Sequence, residues 1–341
     1  MRSYNQKEMD IDIIITWVDG NDPAWQSEKE KYRSETAGAD VRKVRYRDWD
    51  NLQYLFRSIE RYAPWVHKVF LVTCGHAPVW LNIAHPKLKL IKHEDYLPKE
   101  WLPTFSSRTI DMNFHRIDAL SEHFVYFNDD TFITGMTKEE DFFHDGIPCD
   151  TGIMKMWPDL SSINGRITWL APLIDVIIVN QHFSKKDSVR KNWKKWANYR
   201  YGALLLSNLY LAPTGRFTGF RDSHLPVSYL KSTYKKVWEA EGPLLSETCS
   251  HRFRQPTDPN HWLFTYWQLA SGNFYPRSPG IGLHCPVNKD TIDDTIAELM
   301  KNKYKMMCFN DETEEEHFEA VRDKLNNALK NMFPQKSSYE L

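Results

Sequence analysis

A chain of 341 residues is long enough to bury one large core, or one core carrying a substantial inserted lobe. Apolar residues at 41% and charged residues at 26% are the proportions of a folded domain, which argues against a disordered or fibrous chain. A formal net charge of −1 argues against binding nucleic acid through bulk charge, so any affinity for phosphate must be local.

The opening run, Met1 to Met9, is polar and lacks the apolar stretch of a signal peptide. Leu170 to Val179 is too short to span a bilayer and carries Pro172 and Asp175. The five cysteines are scattered, with neither metal-ligand spacing nor a disulfide framework. These features predict a cytoplasmic protein, with peripheral contact at the inner membrane face left open.

Ile11–Val18 is apolar and β-branched, and Asp19-Gly20-Asn21-Asp22-Pro23 ends it with a dense turn signal, so it reads as a buried strand. Leu52, Leu55, Phe56 and Ile59 then follow a helical period that Pro64 stops. Val69–Thr73 and Leu88–Lys92 read as further strands. Ile110, Phe114, Ile117 and Leu120 predict another amphipathic helix, and Phe124–Phe127 a strand running into Asn128-Asp129-Asp130. Strands alternating with helices predict an α/β fold with a largely parallel sheet. Ligands in such sheets sit beyond the carboxyl ends of strands, where both acidic turns fall.

Residues 151–282 are richer in Trp, Tyr and basic side chains and predict a mainly helical insertion, with helices near Tyr199–Leu209, Pro226–Ala240 and Pro259–Ala270. Asp258-Pro259 reads as N-cap and first-turn pair of the last one. The α/β pattern resumes with a strand at Lys305–Phe309, the turn Asn310-Asp311 and a helix over Glu314–Met332. The α/β core is therefore expected at 10–150 and 283–335.

Adjacent carboxylates at a strand end offer the hard oxygen ligands that Mg²⁺ or Mn²⁺ needs while it grips a diphosphate, which singles out Asn128, Asp129 and Asp130. A polar strand cap is the bland alternative. Asn310-Asp311 repeats the pattern and completes one site only if its strand lies beside the first. Trp17, Asp19 and Gly20 form a loop able to stack a base, bond a ribose and approach a ligand closely. Arg254, shortly before Asp258, suits a phosphoryl clamp, and His224 a general base. Arg116 could reach phosphate or pair on its own surface. Lys185–Lys195, interleaved with Trp193 and Trp196, could attract an anionic polymer or membrane, or be a solvated basic face.

Taken together, Ile11–Pro23, Arg47-Asp48, Arg57–Glu60, Pro64–Val66, His115–Ile117 and Phe127–Asp130 resemble the first two characteristic regions of the Stealth proteins. These are bacterial capsular-polysaccharide phosphotransferases related to the catalytic subunit of the lysosomal-enzyme N-acetylglucosamine-1-phosphotransferase. Phe217, His224-Leu225-Pro226 and Arg254–Leu269 echo the third region, and Cys308–Asp311 the fourth. Two departures stand out: Cys74-Gly75-His76 replaces the usual Asp-Gly-Gln, and Ser223–Val227 lacks the second histidine of the His-Met-Pro-His pattern.

The resemblance implies a glycosyltransferase A-like nucleotide-sugar fold. It also implies transfer of hexose- or N-acetylhexosamine-1-phosphate from a UDP-sugar donor to an oligo- or polysaccharide hydroxyl, with release of UMP. A metal-dependent glycosyltransferase releasing UDP is the alternative. On this expectation Asn128, Asp129, Asp130 and Asp311 hold Mg²⁺ (or Mn²⁺). Trp17, Asp19, Gly20, Arg47, Arg116 and Asn310 bind substrate, and His224, Arg254, Asp129 and Asp258 are the catalytic candidates.

Overall fold

The computed structural model describes residues 9–156 and 163–341; the polar run from Met1 to Glu8 lies outside the described residues. In chain order it contains β1 (Ile11–Thr16), α1 (Pro23–Glu30), α2 (Leu52–Tyr62), β2 (Val69–Thr73), β3 (Leu88–Lys92), α3 (Ser107–Asp111), β4 (His123–Asn128) and β5 (Thr131–Ile133). The short strands β6 (Phe143–His144) and β7 (Ile147–Asp150) precede α4 (Ile163–His182), α5 (Lys185–Lys191), α6 (Trp193–Trp196) and α7 (Leu205–Leu211). Then come β8 (Val227–Leu230), α8 (Lys231–Ser250), α9 (Trp262–Ser271), β9 (Tyr275–Pro276), β10 (Gly282–Val287), α10 (Ile292–Met300), β11 (Met306–Asp311) and α11 (Phe318–Met332).

The principal sheet has the order β3-β2-β1-β4-β8. Its first four strands are parallel, and β8 closes the edge antiparallel to β4. Residues Ile11–Ile15 of β1 are all buried, as expected of a central strand covered on both faces. The two-residue period of the strands sorts their side chains between two cores. Ile11, Ile13, Ile15, Val69, Leu71, Val125 and Phe127 face one core together with α2, α10 and α11. Ile14, Phe70, Val72, Phe124 and Tyr126 face the other, which is filled from α4, α8 and α9.

The α/β architecture is thus as expected, but three local expectations are corrected. The helix drawn through Ile110–Leu120 breaks after α3, because the Asn113 side chain donates to the Thr109 carbonyl at 2.7 Å and competes with continued helix. The helix drawn from Pro226 begins at Lys231, since Val227–Leu230 instead pairs with β4. Asp258 does not cap α9. That helix starts at Trp262, whose N–H is taken by the Asn260 side chain at 2.8 Å, while Asp258 turns inward.

Residues 151–282 are also less of an insertion than expected. They supply β8 to the principal sheet, and their helices, together with residues 96–120, cover one face of it. Meanwhile β10 and β11 form a second sheet with β5, in the order β10-β11-β5. This second sheet carries Asn310-Asp311 to the site.

Candidate active site

Register places the acidic turns together. Thr16 at the end of β1 pairs with Asn128 at the end of β4, so the loop from Trp17 to Asp22 and the turn at 128–130 leave the sheet side by side. On the far side of that turn, the Asp130 carbonyl accepts the Phe309 N–H at 2.8 Å. Asn310 and Asp311 follow directly, although they are separated by about 180 residues from the turn they meet. Asp48 joins from the loop before α2.

The carboxylates act on one another. Asp129 is pushed up to about 8, chiefly by burial and then by Asp130 and Asp48. Asp130 is raised to about 6, by burial with Asp311 adding to it, while the Cys308 thiol beside it pulls the other way. Asp48 is also raised to about 6, by burial with Asp50 and Asp19 adding to it. Asp130 Oδ1 is buried without a hydrogen-bond partner. An orphaned hard oxygen among carboxylates that resist ionising together is what a divalent cation relieves.

The cluster is open rather than tight. Among the described residues, the trio whose ligand atoms all lie within 4.8 Å of one another is the surface group Glu314, Glu316 and His317. A cation at Asp129 and Asp130 would therefore rest on one or two side chains and take its remaining ligands from phosphate and water, as Mg²⁺ commonly does.

Asp311 is not free to be a metal ligand in the way expected. Its Oδ2 accepts from Arg47 Nε at 3.0 Å and from Trp49 Nε1 at 3.1 Å, and its Oδ1 accepts the Thr313 N–H at 2.8 Å. Arg47, expected to bind substrate, is consumed by this clamp: it also donates to the Thr313 carbonyl at 2.7 Å and lies 4.2 Å over the Phe318 ring. The pair ties the loop bearing Asp48 to the end of β11. Both side chains are about 10% exposed, so truncating one strands a largely buried charge. Arg47→Ala is expected to cost about 3 kcal/mol of stability in urea unfolding, against under about 1 kcal/mol for a surface pair such as Arg33–Glu30.

Trp17 is likewise corrected. It is buried against His76, ring centroids 5.1 Å apart at 70°, and its indole N–H faces Asp48 without closing a hydrogen bond, so its faces are not open to a base. Gly20 is required for a different close approach than the one expected. A Cβ there would lie 1.8 Å from the Tyr46 carbonyl oxygen, so the residue admits the 42–47 loop rather than a ligand. Asp19 keeps its place at the rim. Its N–H donates to His76 Nε2 at 3.0 Å, which puts the imidazole proton on Nδ1, and its Oδ1 accepts from Asn21 N–H at 2.8 Å. His76 thus earns its position in Cys74-Gly75-His76 by holding the Asp19 loop.

A cationic group is linked to these carboxylates through Tyr126. Arg254 donates to Ser107 Oγ at 2.7 Å, and its charge holds down Asp111, a carboxyl that burial nonetheless pushes to about 7. Arg45 lies close enough for Arg254 to depress its own ionisation, second to burial, with Asp40 the counter-charge between Arg42 and Arg45. Tyr126 bridges the two groups: its hydroxyl lies 3.2 Å from Thr16 Oγ1, and both Asp111 and Asp129 act on it. Asp258 is a positioning residue. It accepts from His251 Nδ1 at 2.7 Å and from Gln255 N–H at 2.8 Å, which shapes the loop that carries Arg254.

His224 sits at φ 48°, a left-handed conformation that costs a non-glycine residue strain. Solvent reaches its ring, yet protein walls it on most sides. Burial, followed by the charge of His284, lowers its pKa, so it is neutral near pH 7. The His284 ring lies 5.0 Å away, and His261 is close enough that His224 depresses its pKa, which burial first drives to about 3. The fold thus brings two further imidazoles to His224, His284 from β10 and His261 from the start of α9. Glu312, whose charge acts on His284, accepts from Asn310 Nδ2 at 3.3 Å. A cavity of about 210 Å³ is lined by Thr151, Arg221, Asp222, His284 and both chain neighbours of His224, Ser223 and Leu225, with His224 itself outside the lining.

Arg116 does not join the site. Its guanidinium lies 4.8 Å from the Trp238 ring and 5.5 Å from Trp101, and its Nε donates to Asn113 at 2.8 Å. Arg45, His261 and His284 are the residues that sequence reasoning passed over, and Asp48 and His76 were met there only as parts of the resemblance, without a role. The run Arg42-Lys43-Val44-Arg45-Tyr46-Arg47-Asp48 carried a signal for Arg45 and Asp48, and the departure at Cys74-Gly75-His76 one for His76; His261 and His284 carried none.

Residues 9–37 match Stealth protein CR1, conserved region 1; residues 45–149 match CR2, conserved region 2; and residues 297–341 match CR4, conserved region 4. The chain is 42% identical over 334 residues to the capsular polysaccharide phosphotransferase WcwK of Streptococcus pneumoniae, covering 97% of this chain and 98% of that one. It is 35% identical to the exopolysaccharide phosphotransferase cps2G of Lactiplantibacillus plantarum, covering 99% and 98%. Among solved structures, the galactosyltransferase LgtC bound to donor and acceptor sugar analogues aligns over 96% of this chain and 98% of its own, at 8% identity and a TM-score of 0.41.

Proposed function

We propose, from the premise that this chain belongs to the Stealth family of polysaccharide phosphotransferases, that it moves a sugar-1-phosphate from a UDP-sugar to a glycan hydroxyl and releases UMP. The observation that carries this reading is the convergence of three chain-distant segments on one cleft. One wall is a carboxylate cluster with an orphaned oxygen, and the other a pair of arginines with a strained, neutral histidine.

The acceptor hydroxyl attacks the β-phosphorus, the bond from that phosphorus to the bridging oxygen breaks, and UMP departs with the electron pair. His224, neutral near pH 7, takes the acceptor proton. Arg254, with Arg45 behind it, stabilises negative charge as it shifts onto the phosphoryl oxygens. Asp19, at the rim beside His76, contacts the nucleoside, and Asn310 the phosphate. Asp129 and Asp130, with Asn128 at the strand end, would hold Mg²⁺, which when bound neutralises the diphosphate. The cavity at Arg221 and Ser223 would take the acceptor sugar, since both chain neighbours of His224 and the adjacent His284 line it.

Phosphorus NMR of reactions with a panel of UDP-sugars tests this: a new phosphodiester resonance together with UMP is expected. Release of UDP with no phosphodiester would overturn it and point to glycosyl transfer. A calorimetric consequence also follows. At pH 7 a carboxyl that titrates near 8 holds its proton, and a cation must displace it. Mg²⁺ binding is therefore expected to release protons, seen as a binding enthalpy that changes between buffers of different ionisation enthalpy. Affinity should fall as pH drops from 8 to 6.

A further inference from the structure

We infer that the outward face of α7, with the cationic segment around it, docks this protein on an anionic phospholipid bilayer. The helix is amphipathic in reverse. Its inner side is anchored by Asn208, which donates to the Gly152 and Trp196 carbonyls at 2.7 and 2.8 Å and accepts the Met154 N–H at 2.7 Å. Its outer side presents Leu206, Leu209 and Tyr210, at i, i+3 and i+4, with 68%, 56% and 74% of their surface exposed. Trp193 and Tyr199 are exposed on the approach to it.

Charge selects the occupant. Between residues 184 and 220 there are eight Lys or Arg against the single acid Asp187, in a chain whose net charge is −1. Lys186, Lys191 and Lys194 are exposed. A polyanion would satisfy the cations and leave the leucines wet, whereas a bilayer with anionic headgroups takes up both, with Trp and Tyr at the interface. Among the described residues no helix is long and apolar enough to cross a membrane, so the contact lies in the surface plane. The surface also connects to the site: Met154, held by Asn208, bridges to Phe220, and the chain reaches His224 four residues later. Docking there would bring the acceptor cavity close to the membrane.

The test is co-sedimentation of the full chain with sucrose-loaded vesicles, either pure phosphatidylcholine or containing about 30% phosphatidylglycerol. Binding is expected on the anionic vesicles only, weakened by salt. It should fall about tenfold or more in Leu206→Glu/Tyr210→Glu and clearly in Lys191→Glu/Lys194→Glu, both exposed pairs that leave the circular dichroism spectrum and melting temperature unchanged. Absence of binding to anionic vesicles overturns the proposal, as does binding indifferent to both variants. A lipid-free dimer that Leu206→Glu splits also overturns it, by assigning the face to a second copy. None of these outcomes bears on the reaction at the cleft.

Discussion

Asp129→Asn is expected to lower kcat by about 10³-fold or more with the fold intact, measured as UMP release at saturating Mg²⁺. The amide matches the carboxylate in shape but cannot supply its negative charge. Loss of the several kcal/mol that a cation contributes to stabilising phosphoryl charge corresponds to this factor, at roughly tenfold per 1.4 kcal/mol. Stability should move the opposite way. In the folded protein Asp129 holds its proton up to about 8, because burial, Asp130 and Asp48 all oppose its charge. Unfolded, it ionises near 3.9, so the metal-free wild type loses stability progressively as pH rises from about 4 to 8. The neutral variant escapes that loss. Its melting temperature without Mg²⁺ should exceed that of the wild type at pH 8, and the gap should narrow as pH falls and close near 4. A variant that is inactive and also less stable at pH 8 would mean that Asp129 holds the fold and not the cation.

His224→Asn is expected to cost about 10²- to 10⁴-fold in kcat with little change in KM for the donor, the range for loss of a general base. Asparagine is chosen because it tolerates the left-handed backbone at φ 48°, so the substitution removes the imidazole without adding strain. The wild-type pH–rate profile should show an acid limb below the usual histidine value of about 6.5, since burial and His284 lower the His224 pKa. The limb should disappear in the variant. Full activity of His224→Asn would transfer the role to His261 or His284, and a limb retained in the variant would assign it to another group.

Periodicity was enough for the sheet. Ile11–Ile15, Val69–Thr73 and Phe124–Phe127 announce themselves because a strand buried on both faces reads as a nearly continuous apolar run; the exception in β1, Asp12, is buried only because His67 Nδ1 at 2.9 Å and the Ser121 N–H at 2.8 Å satisfy its carboxylate. The acidic turn was legible for a related reason: Asn128-Asp129-Asp130 interrupts an apolar run at a strand's carboxyl end, where an α/β sheet opens to ligands. The role of individual side chains was not. Asp311 and Arg47 each looked suited to the substrate or metal, yet they spend themselves on one another across 264 residues. Arg116 is satisfied by two tryptophans. A lone charged residue has the same letter whether its partner is protein or ligand, and only the folded neighbourhood tells them apart.

Taken alone, the amino-acid sequence determined the α/β class, the strand ends and the acidic turns, since these follow from local period and turn chemistry. It also carried the family. Tertiary structure decided that the turns at 128–130 and 310–311 share one cleft, that His261 and His284 stand beside His224, and that residues 151–282 roof the sheet. These are contacts between segments far apart in the chain, set by strand register and layer packing, and no local pattern encodes them.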